Sequence, residues 1–176
     1  MPSLIRSAAC LLVVSAVAVA TGCGGGGGSS QAAVKRVRGS NFIFEAPASW
    51  EVSRVDTQVS ASPKPAAPEL VSVSVFPLRR VYRPALFAAV TKELDSTAEK
   101  LATQLHGKVV DSKTVDVAGD KVRQYQITYS SGGQDYQQLI TFVLRGKTEY
   151  QLLCRWAQSE QEPEACTRLV KTFTPV

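Results

Sequence analysis

The segment at residues 134–145 is apolar on both faces of a predicted β-strand. One face would carry Tyr136, Ile140, Phe142 and Leu144, and the other Leu139 and Val143. A strand that is apolar on both faces has to be covered on each side of its sheet. Two amphipathic segments, at residues 84–106 and 163–173, can supply these covers. We therefore predict an α+β fold, an α/β/α sandwich in which helices cover both faces of an antiparallel β-sheet.

Helical spacing of apolar residues defines both covering segments. The first carries a stripe of Phe87, Val90, Leu94, Ala98, Leu101 and Leu105, and it is predicted to end at Gly107. The second carries Cys166, Leu169, Val170 and Phe173 at positions i, i+3, i+4 and i+7.

The other elements follow from two-residue alternation and from turn residues. Strands are predicted at residues 41–45, 51–55, 70–76, 108–117, 121–130, 134–145 and 149–156. Glycine-containing turns at residues 118–120, 131–133 and 146–147 join the later strands into an antiparallel meander. Residues 56–68 contain three prolines among serines and alanines, and we predict a mobile loop there.

The N-terminus has the features of a secretory signal. Arg6 supplies a positive charge, and residues 8–20 form a short apolar stretch without charge. Small residues then lead to Cys23, and this arrangement resembles a bacterial lipobox, in which the cysteine receives a lipid. The lipobox favours leucine where this chain has Ala20, and ordinary secretion with cleavage near Gly22 is the alternative.

A run of glycines and serines follows Cys23 and is typical of a flexible tether. We therefore predict a signal peptide over residues 1–22 and a lipidated Cys23 that begins a Gly/Ser-rich tether over residues 23–38. A single globular domain over residues 39–176 would follow. The protein would be extracytoplasmic and attached to the cell membrane through its N-terminal lipid.

Cys154 and Cys166 are the two cysteines of the predicted domain. An exported chain lies in a compartment that permits disulfides, so we predict a bridge that holds the last helix to the sheet. A redox role would favour closely spaced, exposed thiols. A metal site would need further ligands, and His106 is the only histidine of the chain.

No recognisable catalytic constellation occurs in the sequence. The chain has no Gly-x-Ser-x-Gly elbow, and the run at residues 24–28 lacks the Gly-Lys-Ser/Thr ending of a phosphate loop. A Ser–His–Asp triad assembled from distant residues remains an alternative, with His106 as its histidine. We predict a protein that is not an enzyme and has no cofactor and no metal.

Basic residues cluster at Arg79, Arg80 and Arg83, with Tyr82 among them, and the chain carries a net charge of +5. Such a cluster fits an acidic partner, a lipid headgroup or a cell-wall polyanion. It is more often simply a solvated connection between a strand and a helix. Nucleic acid is excluded as a partner by the predicted export.

The series Phe42-Ile43-Phe44, Pro47 and Trp50 resembles the opening strand and turn of Mog/PsbP-like domains. The mid-chain helix, the meander and the final helix extend this resemblance over residues 40–175. It implies an α/β/α sandwich and a non-enzymatic adaptor, since plant members are extrinsic photosystem subunits and others bind partner proteins.

We therefore expect a binding or adaptor module for an envelope protein or another envelope component. The alternative is a carrier of a lipid or another small apolar ligand, held between sheet and helix. A carrier would need a cavity lined by Phe87, Leu94 and Phe142.

Overall fold

The structure is a computed structural model that describes residues 33–176. The early strands are β1 (Val34–Arg38), β2 (Phe42–Pro47), β3 (Glu51–Val55), β4 (Gln58–Ser62) and β5 (Leu70–Tyr82). A 3₁₀ turn (Pro84–Leu86) leads into helix α1 (Phe87–Gln104). There follow β6 (Lys108–Val117), β7 (Asp120–Ser131), β8 (Gln134–Ala157), helix α2 (Glu164–Thr172) and β9 (Thr174–Pro175).

The strands form two antiparallel sheets. The larger sheet has the order β3-β4-β5-β8-β7-β6, and the smaller has the order β1-β2-β9. Strand β8 lies in the middle of the larger sheet, where residues 134–142 pair with β7 and residues 148–155 pair with β5.

The long strand β8 reverses its direction near Gly146. Its 24 residues would span roughly 80 Å if they ran straight. However, the N–H of Gln158 donates a hydrogen bond to the carbonyl oxygen of Asp135 at 2.9 Å, and the Arg155 guanidinium lies 5.1 Å from the centre of the Tyr136 ring. The chain therefore folds back, and Gly146, with φ of 55°, lies where the sequence predicts a turn.

The predicted α/β/α sandwich is wrong. Of the described residues, 57% lie in strands and 21% in helices. Helix α1 packs on β6 and β7, and α2 packs on β2 and β8. Because α2 has nine residues and is about 14 Å long, it is too short to cover the larger sheet, which is roughly 29 Å wide because the two arms of β8 lie side by side in it.

The smaller sheet supplies the missing cover, through aromatic side chains from β2. Phe42 packs against Tyr150 of β8 and Phe173 after α2, with ring centres 6.3 and 6.2 Å apart. Phe44 is fully buried in the same cluster. The second face of the large sheet is therefore covered by a sheet and a short helix together.

Strand β1 lies inside the segment predicted as a tether. It pairs with β2 along its whole length, from Val34 opposite Pro47 to Arg38 opposite Ile43. Val37 is 2% exposed and belongs to the core. The folded part therefore begins before residue 39, because the pairing with β2 buries a valine between basic residues.

The predicted loop at residues 56–68 also contains a strand. Strand β4 pairs with β3 on one side and with β5 on the other. Val59 and Ala61 alternate with polar residues and are buried. The prolines lie only in the part that follows, so the prediction of a loop over the whole segment is wrong.

Both predicted helices are present with shorter bounds. In α1 the fully buried positions are Leu94, Ala98 and Ala102, which lie four residues apart on the face towards β7. No helix within residues 33–176 is long and apolar enough to cross a membrane.

Candidate functional site

A large bulge in β5 places the predicted basic residues at the surface. Strand β5 pairs with β8 up to Pro77 opposite Thr148, and the pairing resumes at Tyr82 opposite Gly146. Four residues of β5 thus face a single residue of β8. Pro77 cannot donate a ladder hydrogen bond, and proline within a sheet is typical of such irregularities. The bulge carries residues 78–81 out of the sheet towards the start of α1.

A groove of about 640 Å³ lies between this bulge and α1. We call it the β5–α1 groove. Its apolar lining consists of Leu78, Val81, Leu86, Ala89, Val90, Leu94 and Leu144. Its polar lining consists of Arg79, Arg80, Tyr82, Glu93, Thr97 and Glu149.

Two apolar side chains at the groove remain open to solvent. Val81 is 48% exposed and Leu86 is 45% exposed, whereas Leu94 and Leu144 below them are buried. Phe76, at the start of the bulge, is 41% exposed. Exposed apolar side chains that gather beside a groove are typical of binding surfaces.

The structure brings three of the four predicted binding residues to this groove. Arg79, Arg80 and Tyr82 line the groove. Arg83 does not line it, and it immediately precedes the 3₁₀ turn. All three arginines are exposed. In residues 33–176, none of them takes part in an ion pair, since every pair involves Arg123, Arg145 or Arg168.

Tyr82 is half-buried and packs against the apolar cluster beneath α1. Burial raises the pKa of its phenol, and the Asp120 carboxylate raises the pKa further. The phenol therefore stays neutral. Its packing gives Tyr82 a structural role at the groove, in contrast to the exposed arginines.

A polar cluster that the sequence did not predict joins α1 to β7. The phenol of Tyr125 donates a hydrogen bond to Asp95 Oδ1 at 2.6 Å, and Arg123 Nη2 donates to the same oxygen at 2.9 Å. Arg123 also donates to Ser112 at 3.1 Å. These residues are 28 and 30 positions apart in the chain, so no local motif could have identified them.

Two pKa values reflect the geometry of this cluster. Burial, followed by the hydrogen bond to Asp95, raises the pKa of Tyr125 to about 12. The hydrogen bond from Tyr125 and the Arg123 guanidinium lower the pKa of Asp95. The charged carboxylate and the neutral phenol stabilise each other, so the cluster fastens α1 to the sheet.

The predicted disulfide is confirmed. Cys154 of β8 and Cys166 of α2 are bonded, and their Cα atoms lie 5.4 Å apart. Both side chains are at least 97% buried. The bridge is therefore buried in the core, where it links α2 to β8. The predicted lipidation site, Cys23, lies outside the described residues.

The tail of the 56–68 segment is held by Arg155. Its Nε donates to the carbonyl oxygen of Pro68 at 3.1 Å, and its Nη2 donates to that of Ala67 at 3.0 Å. A second depression of about 520 Å³ lies here, between Arg155 and the β3–β4 hairpin. Its lining includes three serines, Ser53, Ser60 and Ser62.

The cavity that a lipid carrier would need is not formed by the residues predicted to line it. Phe142 is 1% exposed and packs against Tyr125, with ring centres 5.8 Å apart. Of the three predicted residues, Leu94 alone lines the β5–α1 groove. Within residues 33–176, no three His, Cys, Asp or Glu side chains come together as a metal-binding group.

Comparison with known proteins yields structural likenesses at low sequence identity. No protein-family model matches the chain, and no curated protein matches it significantly. A crystal structure from Bacteroides thetaiotaomicron is similar with a TM-score of 0.56 and 9% identity, over 77% of this chain. This chain spans 45% of that protein, so the likeness concerns the fold of one part of it.

LpqN of Mycobacterium tuberculosis, a protein involved in cell envelope biogenesis, is similar with a TM-score of 0.48 and 14% identity. The match covers 81% of this chain and 90% of LpqN. A TM-score of this size does not establish a shared fold. The resemblance to Mog/PsbP-like domains is not confirmed by these comparisons.

Proposed function

We propose that this chain is a non-catalytic binding module of the cell envelope, which holds a partner protein or another envelope component in the β5–α1 groove. The observation that carries this proposal is the bulge of β5. It places arginines that form no ion pair within residues 33–176 next to exposed apolar side chains, at the mouth of a groove. Partner surfaces commonly combine these two kinds of side chain, and arginine is enriched in them.

Two further parts of the proposal concern location. A lipid on Cys23 would attach the protein to the outer side of the cell membrane, as the signal-like N-terminus predicts. An extracytoplasmic site also agrees with the Cys154–Cys166 bridge, because disulfides persist in oxidising compartments.

Photo-crosslinking from the groove tests the binding function. A photoreactive amino acid would replace Leu86 in the full-length chain in intact cells, and the products would be identified by mass spectrometry. Val110 on β6 is the matched control position, because it is 46% exposed and Leu86 is 45% exposed. We expect one dominant partner from position 86 that is missing from position 110.

The same experiment includes a triple variant, Arg79→Glu with Arg80→Glu and Arg83→Glu. Exposed arginines contribute little to folding, so the variant should fold normally and lose the crosslinked partner. Identical products from positions 86 and 110 would contradict the assignment of the groove.

A carrier of a small apolar ligand is the second candidate, and the seven apolar residues that line the groove favour it. Native mass spectrometry of the protein extracted from its own membranes tests this function. A bound lipid that is lost from an Ala89→Trp variant, in which the indole fills the groove, would support the carrier. A ligand-free protein would exclude it.

A further inference from the structure

We infer that the occupant of the β5–α1 groove is an acidic, amphipathic segment of a partner protein, taken up on the side of the domain opposite to the chain's entry at Ala33. This inference rests on the proposed binding function and specifies the chemistry of the partner. It depends on three observations: the charge at the groove, the arrangement of its apolar residues, and its position in the fold.

The positive charge of the arginines at the bulge favours a partner that supplies carboxylates. Arg79, Arg80 and Arg83 lie within five residues, and no ion pair described for residues 33–176 includes any of them. Of the other arginines within residues 33–176, Arg123, Arg145 and Arg168 are each paired with an aspartate or a glutamate, and four form no ion pair: Arg36, Arg38, Arg54 and Arg155. The bulge is distinguished by three unpaired arginines within five residues. The planar guanidinium binds carboxylates through paired hydrogen bonds, so glutamates or aspartates of a partner fit these three positions.

The apolar residues of the groove form a track beside this charge. On the α1 side, Leu86, Ala89 and Val90 supply apolar lining, and Glu93 and Thr97 continue this side of the groove with polar groups. Val81 and Leu86 stand exposed at the mouth. A partner segment therefore needs apolar side chains on one side, and carboxylates where it passes the bulge.

A concave groove with apolar lining fits a protein segment rather than a flat lipid surface, and it lies far from Ala33, where the described part of the chain begins. The carbonyl oxygen of Ala33 accepts a hydrogen bond from the N–H of Ala48, just before β3. Strand β3 starts opposite Ser62, and the neighbouring Ala61 lies opposite Val71, near the start of β5. The chain therefore enters at the Leu70 end of β5.

The groove lies at the other end of the same strand. Leu78, the first residue of the bulge, is seven positions after Val71, which corresponds to about 23 Å of strand. The arginines of the bulge and Ala33 therefore lie at opposite ends of β5.

Fluorescence anisotropy with defined peptides tests the inference on the full-length protein in neutral detergent. The probe is a labelled peptide of about 14 residues, roughly four helical turns, with leucines on one side and glutamates on the other. Its control has glutamine in place of each glutamate. We expect the acidic peptide to bind at least about 10-fold more tightly than the control at low ionic strength, and to lose this advantage in high salt.

Two protein variants with the same change of net charge locate the site. The Arg79→Glu/Arg80→Glu/Arg83→Glu variant should weaken binding of the acidic peptide by at least about 10-fold. The Lys64→Glu/Lys108→Glu/Lys113→Glu variant changes exposed lysines away from the groove and should leave binding within about 2-fold. Equal losses in both variants would show a nonspecific effect of net charge and would overturn the inference.

Other outcomes also decide the matter. Equal affinity for the acidic and glutamine peptides, or no binding of the acidic peptide up to about 1 mM, would overturn the inference. The protein can also be mixed with phosphatidylglycerol vesicles in place of the peptide. If it sediments with the vesicles, and the Arg79→Glu/Arg80→Glu/Arg83→Glu variant does not, the inference is overturned. The peptide experiment can fail while crosslinking from Leu86 still captures one dominant protein in cells. In that case the proposed binding function stands, and the inference that the partner segment is acidic is wrong.

Discussion

Removal of the Cys154–Cys166 bridge should lower the free energy of unfolding by about 3 kcal/mol. The two cysteines are 12 positions apart in the chain. In the loop-entropy description, closing a loop of this length removes roughly 9–10 cal/mol/K of entropy from the unfolded chain, which is about 3 kcal/mol at 25 °C. The bridge also fastens α2, whose nine residues are too few to form a stable helix alone.

Urea-induced unfolding followed by circular dichroism measures this loss. The full-length protein would be unfolded with and without reductant, beside a Cys154→Ala/Cys166→Ala variant. For a folded part of this size, about 3 kcal/mol corresponds to a fall in Tm of roughly 10 °C. The variant should be insensitive to reductant, because it lacks the disulfide that the reductant would cleave.

Two results would refute this reasoning. A difference below about 1 kcal/mol between the oxidised and reduced protein would show that the closed loop adds little to stability. An equal effect of reductant on the double alanine variant would show that the reductant acts elsewhere.

Three further predictions concern the core and the polar cluster. Gly107→Ala should destabilise the fold by about 2–4 kcal/mol in urea unfolding, because the added Cβ would overlap the backbone of Thr128; a loss below about 0.5 kcal/mol would contradict the packing described. Phe42→Ala should cost about 3–5 kcal/mol, measured in the same way, since β2 covers the large sheet through this ring. Stability should fall as the pH drops below about 4 and Asp95, whose folded pKa is lowered, becomes protonated. It should also fall as the pH rises above 10, because the pKa of Tyr125 is raised to about 12 and the unfolded phenol ionises first. Unfolding curves from pH 3 to 11 should lose the acid component in Asp95→Asn and the alkaline component in Tyr125→Phe, and unchanged profiles would argue against the cluster.

Local patterns in the sequence were sufficient for many elements. The alternation of Val71, Val73 and Val75 predicted most of β5, and the four-residue spacing of Leu94 and Ala98 predicted α1. The bridge was predictable too, because a domain that is predicted to be exported and has two cysteines has few other uses for them.

The candidate site was only partly predictable. The arginines of the bulge stand out in the sequence as a basic cluster, and the structure places two of them on a groove. The groove itself depends on α1 lying beside the bulge and on Leu144 below it, which come from distant parts of the chain. The polar cluster of Asp95, Arg123 and Tyr125 was not predicted either, because its members also come from distant parts of the chain.

The errors in the fold prediction share one cause. Strand β1 has five residues, three of them basic, and nothing in its own composition distinguishes it from a linker. Its burial depends on β2, which in turn packs on β8 more than 100 positions later. A short segment has too little apolar surface to specify a partner, so the partner decides its state.

The sequence by itself determined the two helices and the strands with a regular apolar pattern, because the periods of 3.6 and 2 residues are local properties of the chain. It also determined that the central strand needs covers on both faces. The tertiary structure alone decided that one cover is a small sheet with a short helix, and that the bulge of β5 meets α1. Contacts of this kind join residues that are far apart in sequence, and their free energy appears only once the chain has brought them together.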